Sequence, residues 1–311
     1  APSISPDGVF VGARDGYLYR MDAGRDAPRR ILGSHRSSGL AEIAARPIVA
    51  GSRVVYGTVN DASLYCLAAT DLSVLWKRTF DDWFEVDGAL DATTGRLYVA
   101  VRDGTLHAIA VDTGDELWRA SIGPALGALA AGGGGVFSVG PDRKARRTEA
   151  AAGKLGWSVV LPSAPSDGPL YRDGRLYFGV LDRRVEVLDA GSGERLPAFE
   201  LPEECRTRPV YGEGAIHALT VSGNWVAFDP SSGRELWRVA TSLVNPRSPV
   251  VAGKCGYAVG SQGKVVAIDL ATGRLEWLYE TNEDVDAPPE ALAGLLVVAG
   301  NKNVHAFEIE E

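Results

Sequence analysis

The sequence predicts an all-β protein, an eight-bladed β-propeller of four-stranded antiparallel blades, and three observations support that prediction. One phrase returns about every 40 residues along the 311-residue chain. Within each copy, apolar and polar residues alternate with a period of two, which is typical of half-buried strands. Glycines follow Asp, Thr or Ser between these strands, where tight hairpins need a positive φ. A seven-bladed propeller is the alternative.

The repeated phrase is clearest in its third copy. There, Leu97–Ala100 is followed by Asp103–Gly104, Leu106–Ile109, Asp112–Gly114 and Leu117–Trp118. The turn residues separate three strands, and a short strand before each copy brings the number to four. One copy therefore corresponds to one blade.

An aromatic residue marks the outer strand of most copies. The positions are Trp76, Trp118, Trp157, Trp237 and Trp277, and Phe199 stands where a further Trp would fall. Successive spacings of 42, 39, 42, 38 and 40 residues again indicate one unit per copy. We interpret these side chains as packing between blades and not as ligand contacts.

The whole chain, 1–311, is predicted to be a single propeller domain. Second strands are expected near Val9, Val54, Leu97, Val136, Leu176, Ile216, Gly256 and Leu295. The predicted blades span 1–33, 46–80, 87–122, 127–161, 167–201, 207–241, 247–281 and 287–311. The last copy lacks an outer strand, so we expect either that residues upstream of Ala1 complete it or that it stays three-stranded. Because an open sheet edge invites strand addition, the missing strand suggests a domain cut from a longer chain.

Charge and composition exclude several classes of partner and site. Lys and Arg number 32 against 40 Asp and Glu, and the net charge of −8 argues against nucleic acid and anionic lipid as partners. The longest apolar run, Leu292–Ala299, is strand-sized, so no membrane insertion is expected. Cys66, Cys205 and Cys255 form neither an even set nor a C-x-x-C pair, and no metal site is predicted.

These copies resemble the repeat of the pyrroloquinoline-quinone-type β-propellers, whose unit carries Asp-Gly-x-Leu-Tyr-Ala-Leu-Asp, then Thr-Gly, then Leu-Trp. The resemblance covers essentially the whole chain. That family includes quinoprotein alcohol dehydrogenases, a non-catalytic barrel-assembly lipoprotein of the outer membrane, and sensor domains of bacterial Ser/Thr kinases. The resemblance therefore implies the fold and, for the compartment, favours the outside of the cytoplasm, while function has to be argued from a site.

The dehydrogenase alternative can be compared with the residues directly. Those enzymes hold the quinone with calcium, a vicinal disulfide and a catalytic Asp, and they are much longer. This chain has no adjacent cysteine pair and no recognisable calcium set, so neither pyrroloquinoline quinone nor calcium is expected as a cofactor. Of the four histidines, His107, His217 and His305 fall on predicted strands, and His35 falls in the connection between the first two blades.

In this family the links between blades share one face with the turns between second and third strands, and a ligand funnel lies there. Charged residues stand where the inner strands open: Arg46, Asp87, Asp167, Arg208, Arg247 and Asp286. Trp83 lies in an acidic link and fits no motif position, which would suit an anchor for a cationic or peptide ligand. The alternatives are a solvated rim and a Trp folded onto its own loop.

The leading hypothesis is a non-catalytic scaffold or sensor that binds a protein or peptide segment, or a small ligand, at this mixed-charge funnel. Acidic patches at 81–87, 203–204 and 283–286 would steer a basic partner. No catalytic residue is assigned. The alternative is an enzyme, either a quinoprotein-type oxidoreductase or one that uses Asp87, Asp167 and Asp286 as acid and base, which would need two nearby carboxylates with separated pKa values.

Overall fold

The computed structural model describes residues 1–22, 31–38, 41–43, 45–59, 61–84, 86–292 and 294–309. Across those residues, 31 strands form eight antiparallel sheets, seven of four strands and a last one of three, each paired in chain order. The predicted eight-bladed β-propeller with a three-stranded last blade is confirmed, and the seven-bladed alternative is wrong. The same ranges contain no helix that is both long and apolar enough to span a bilayer.

Each blade from the second onward opens with a three-residue strand and continues with longer ones. Blades one to four contain β1 (Pro2–Ser5), β2 (Gly8–Gly12), β3 (Tyr17–Met21), β4 (Ile31–Arg36), β5 (Ile48–Ala50), β6 (Arg53–Gly57), β7 (Ser63–Ala68), β8 (Val74–Thr79), β9 (Ala89–Asp91), β10 (Arg96–Ala100), β11 (Thr105–Ala110), β12 (Glu116–Ser121), β13 (Ala130–Gly132), β14 (Gly135–Val139), β15 (Lys144–Glu149) and β16 (Leu155–Val160). Blades five to eight contain β17 (Leu170–Arg172), β18 (Arg175–Val180), β19 (Arg184–Asp189), β20 (Arg195–Glu200), β21 (Val210–Gly212), β22 (Ala215–Leu219), β23 (Asn224–Phe228), β24 (Glu235–Ala240), β25 (Val250–Ala252), β26 (Cys255–Val259), β27 (Lys264–Asp269), β28 (Leu275–Glu280), β29 (Glu290–Leu292), β30 (Leu295–Ala299) and β31 (Val304–Glu308).

The chain divides into two compact units, one of residues 1–140 and 146–156 and one of residues 141–145 and 157–311. In the first unit, apolar clusters lie between successive blades, as where Leu18 of blade one packs with Leu67 of blade two. In the second unit, Val187 of blade five packs with Phe228 of blade six in the same way. Because both faces of a blade are covered, its second and third strands are buried along most of their length.

The turn glycines adopt the left-handed backbone that the sequence predicts for them. Gly104, between the second and third strands of blade three, has a φ of 86°, and Gly114, before its outer strand, has a φ of 77°. L-residues with a side chain rarely adopt this region, which explains why the repeated phrase has Gly there.

His35 lies elsewhere than predicted. The sequence suggests the connection between blades one and two, whereas His35 belongs to β4 and pairs with Leu18 of β3. This outer strand lacks the Trp, or the Phe of blade five, that marks the outer strands of blades two to seven, so the sequence gives no signal that it extends this far. The His35 Nδ1 lies 2.7 Å from the Tyr56 hydroxyl, so its ring is used in packing blade one against blade two.

Candidate functional site

The links between blades hydrogen-bond to the turns between second and third strands. In the first unit, the Arg102 N–H donates to the Trp83 carbonyl over 3.0 Å. In the second unit, the Val221 N–H donates to the Glu204 carbonyl over 3.1 Å. Links and turns therefore lie on one face of each unit, which we call the loop face.

Asp87 holds together the openings of inner strands in the first unit. Its Oδ1 accepts the N–H of Arg46 over 2.8 Å. Its own N–H donates to the Gly127 carbonyl over 3.2 Å, and its carbonyl accepts the Leu129 N–H over 2.9 Å. The carboxylate proposed from the sequence as a ligand or acid–base group thus caps the backbone of the preceding blade.

Trp83 is half-buried and stacked. The guanidinium carbon of Arg102 lies 4.6 Å from the Trp83 ring centroid, a cation–π distance. The backbone N–H of Trp83 donates to Asp82 Oδ1 over 2.9 Å, which orders the link. Arg102 therefore lies over the Trp83 ring, where the sequence suggests that a cationic ligand could bind. Glu85 of the same acidic patch lies outside the described residues.

Asp167 and Arg208 are connected through Ser248 in the second unit. The Ser248 hydroxyl donates to Asp167 Oδ2 over 2.7 Å and accepts the Arg208 N–H over 2.9 Å. The other oxygen of Asp167 accepts the Gly168 N–H over 2.7 Å. As with Asp87, a side chain from one blade caps the opening of another blade's inner strand.

Arg247 and Asp286 form an ion pair between blades seven and eight. Arg247 Nη2 lies 2.8 Å from Asp286 Oδ1, and Arg247 Nε donates to the Val285 carbonyl over 3.1 Å. The Asp286 side chain is 73% exposed, so the pair lies at the surface. Exposed pairs of this kind contribute at most about 1 kcal/mol to stability. Because its side chain is exposed, Asp286 is accessible to a partner.

Two carboxylates of the acidic patches bind their own turns. Glu203 accepts hydrogen bonds from the hydroxyls of Ser222 and Thr220, and these bonds lower its pKa. Glu283 Oε2 accepts the N–H groups of Lys302 and Asn303, each over 3.0 Å. Hydrogen bonds from Asn303, the side-chain amide first, lower the pKa of Glu283 to about 2. These acids are structural caps of the turns in blades six and eight.

The tryptophans of the repeated phrase join neighbouring blades within each unit. Four indole N–H groups donate to backbone carbonyls of the next blade: Trp76 to Val111 (2.9 Å), Trp118 to Ala150 (3.0 Å), Trp157 to Ala190 (3.1 Å) and Trp237 to Leu270 (3.1 Å). Trp277 packs against Phe307 of blade eight, with ring centroids 5.6 Å apart. All five rings thus contact protein.

Phe199 takes the place of a Trp in blade five. A Cβ built on Gly233 would lie 2.8 Å from the Phe199 ring, as close as the Trp rings come to the equivalent glycines. Phenylalanine has no N–H to donate, and the guanidinium of Arg175 donates to the Pro230 carbonyl instead. An arginine of the same blade therefore supplies the missing hydrogen bond.

Sequence reasoning did not single out Arg102 or Ser248. Arg102 directly precedes the Asp103–Gly104 turn, and Ser248 directly precedes Pro249 at the opening of an inner strand. The family often has Ser near this opening, so a polar side chain beside the Pro is the signal that could have found Ser248. No local pattern identifies the partner of Trp83.

Among the residues that the structure describes, no three His, Cys, Asp or Glu side chains are arranged so that they could hold a metal ion. Burial raises the pKa of the Cys66 thiol to about 12 and also raises that of Cys205. Both thiols are therefore protonated at neutral pH, and thiolate chemistry is not available at these two positions.

Comparison with known proteins identifies the family. The family model described as outer membrane protein assembly factor BamB matches residues 14–120, 102–207 and 222–311. The chain belongs to the BamB family. The resemblance to quinone-type propeller repeats is thereby confirmed at the level of the family. None of the curated proteins matches the sequence.

Solved structures similar to this BamB-family chain come from proteins of diverse origin. BamB from Moraxella catarrhalis is 16% identical, with a TM-score of 0.79 over 98% of this chain and 92% of that one. The computationally designed Ika8 protein is 18% identical, with a TM-score of 0.83 over 99% and 95%. Sqt1 from Saccharomyces cerevisiae is 14% identical, with a TM-score of 0.81 over 97% and 93%. At these identities the likeness shows the fold alone.

Proposed function

We propose that this BamB-family chain is a non-catalytic scaffold that binds a protein segment at the loop face, with Trp83 and Arg102 as its anchor. The observation that carries the proposal is their stacking, with the Arg102 guanidinium 4.6 Å from the ring centroid. Trp and Arg dominate the residues that contribute most binding energy at protein interfaces. A stacked pair is already ordered, so it loses less side-chain entropy on binding than two mobile side chains.

The charges around this anchor favour a basic partner. Asp81 and Asp103 are exposed in the link and the turn that hold Trp83 and Arg102, and the chain carries a net charge of −8. Such a field raises the association rate, and salt weakens the effect.

The other charged residues of the predicted funnel take a supporting role in this proposal. Asp87 caps the Arg46 N–H, while Ser248, which donates to Asp167, caps the Arg208 N–H, and these bonds hold the openings of the inner strands. A partner contacting the loop face would meet a rigid surface. Preformed surfaces bind with a smaller ordering cost than flexible ones.

Selection of peptides from a random displayed library on the immobilised chain would test this function. We expect enriched peptides to be basic, to bind more weakly at high salt, and to lose at least about tenfold in affinity, or about 1.4 kcal/mol, with Trp83→Ala. Arg102→Ala should weaken binding in the same way, and Lys302→Ala is its matched control, because Lys302 is an exposed cation on the corresponding turn of blade eight. Peptides that bind Trp83→Ala and the unmodified chain equally, or a library that yields none, would refute the proposal.

A further inference from the structure

An open cleft of about 360 Å³ lies on the first unit, between the link from blade two and the outer half of blade three. Its walls carry Asp81 from the link, Asp103 from the turn, and Thr105, His107, Arg119 and Ser121 from β11 and β12. In the antiparallel register, Thr105 pairs with Ser121 and His107 with Arg119. Because alternate residues of a strand share a face, these four side chains line the same side of the blade.

His107 presents a hydrogen-bond acceptor to this cleft. Glu116 Oε2 lies 3.0 Å from His107 Nδ1 and 3.4 Å from Arg78 Nη2. A carboxylate paired with Arg only accepts hydrogen bonds, so Nδ1 carries the proton. Burial lowers the pKa of His107 below its usual 6.5, which keeps the ring neutral at pH 7. With Nδ1 engaged and the side chain 8% exposed, Nε2 is the acceptor that remains for a bound molecule.

The acceptors and the donors of the cleft come from different elements. Asp103 Oδ1 accepts the Thr105 N–H over 2.7 Å, which leaves its second oxygen for another donor, beside Asp81 and His107 Nε2. Arg119 and Ser121, on the outer strand, can donate to a carboxylate. A ligand that carries both charges would satisfy both sets of groups. The volume lies at the lower end of the range of small-molecule sites.

We propose that this cleft binds a small zwitterion with an ammonium and a carboxylate group, the chemistry of a free α-amino acid. The ammonium lies between Asp81, Asp103 and His107 Nε2, and the carboxylate lies against Arg119 and Ser121. The site shares Asp81 and Asp103 with the surroundings of the scaffold anchor but does not use the Trp83 ring, so Trp83→Ala and Arg119→Gln distinguish the two roles. Its ligand would give the chain a sensing role in addition.

Isothermal titration calorimetry with L-lysine, L-leucine and L-glutamate, each up to about 10 mM, would test the site. We expect saturable one-to-one binding of at least one of them. Cadaverine and isoamylamine, which are lysine and leucine without the carboxylate, should bind at least about tenfold more weakly than their parents, because they leave Arg119 without its partner.

Variants then locate the binding. Asp103→Asn and Arg119→Gln should each weaken it at least about tenfold, and both residues are exposed, so the fold should tolerate the changes. Asp142→Asn is the matched control, since Asp142 accepts the Lys144 N–H in the corresponding turn of blade four, as Asp103 accepts that of Thr105. No binding of any amino acid, binding unchanged in both variants, or amines that bind as well as their parents would overturn the proposal.

Discussion

The indole N–H of Trp157 allows the bond between two blades to be tested with little change in shape. Trp157→Phe keeps an aromatic ring near Gly193 and removes the donor that lies 3.1 Å from the Ala190 carbonyl. Ala190 is only 4% exposed, so water cannot readily replace that donor. Leaving a buried carbonyl without its partner costs about 1–3 kcal/mol of unfolding free energy.

Trp118→Phe is the comparison that isolates the hydrogen bond. The Ala150 carbonyl accepts from Trp118, but also from Arg96 Nη1 over 3.1 Å and from the Tyr98 hydroxyl over 3.4 Å. Both substitutions lose the same ring volume, so that part of the cost is common to the two. The loss of the hydrogen bond itself should therefore be below about 1 kcal/mol at Trp118, because two donors remain.

Urea unfolding followed by circular dichroism would measure both changes, provided the slope with denaturant is unchanged. We expect Trp157→Phe to be the more destabilising variant by about 1–2 kcal/mol. Arg175→Met, which removes the donor that compensates for Phe199, should also lower the stability, but by less than Trp157→Phe, because no ring is lost and Pro230 is only partly buried. Equal losses at Trp157 and Trp118 would refute the reasoning and show that the rings act through packing alone.

Two further predictions concern backbone strain and protonation. Gly114 and Gly214 share a positive φ, but a Cβ at Gly114 would lie 2.7 Å from the Trp76 ring, whereas a Cβ at Gly214 would meet no atom within 4 Å. Thermal unfolding should therefore show that Gly114→Ala loses about 1–3 kcal/mol more stability than Gly214→Ala. Burial lowers the pKa of His217 to about 4, below its unfolded value, so stability should fall by up to roughly 3 kcal/mol as pH drops from about 6.5 to 4. His217→Gln should remove that part of the pH dependence in urea unfolding at several pH values; an unchanged profile would contradict it.

The fold could be predicted because each blade carries its own local signals. The Asp103–Gly104 turn, the Thr113–Gly114 turn and the alternation between them are read within a few residues of one another. The other seven copies carry the same kinds of signal, so one copy with a weak pattern does not change the predicted fold. His35 shows the limit of this reasoning, because its strand carries neither the Leu-Trp pair nor a turn glycine directly before it.

The partners of the loop-face residues could not be predicted in the same way. Asp87 meets the Arg46 N–H across 41 residues of sequence, and Asp167 meets Ser248 across 81. The sequence alone does not distinguish a carboxylate that caps a backbone N–H from one that binds a ligand. The difference is the set of donors that the fold brings to it, and that set comes from other blades.

Comparison among the copies still separates some positions from their structural role. His107 stands where Val226 and Val266 stand in blades six and seven, since each pairs with the residue that follows the Trp of the outer strand. The two valines show that this fold needs no polar group there. Burying an imidazole at the same position costs desolvation, which lowers the pKa of His107, and Glu116 offsets only part of that cost. Blade five bears a similar cost, since Glu186 lies seven residues before Gly193 as His107 lies seven before Gly114, and burial raises the pKa of Glu186. What distinguishes blade three is the open cleft beside His107, so this is the copy in which a ligand site should be sought.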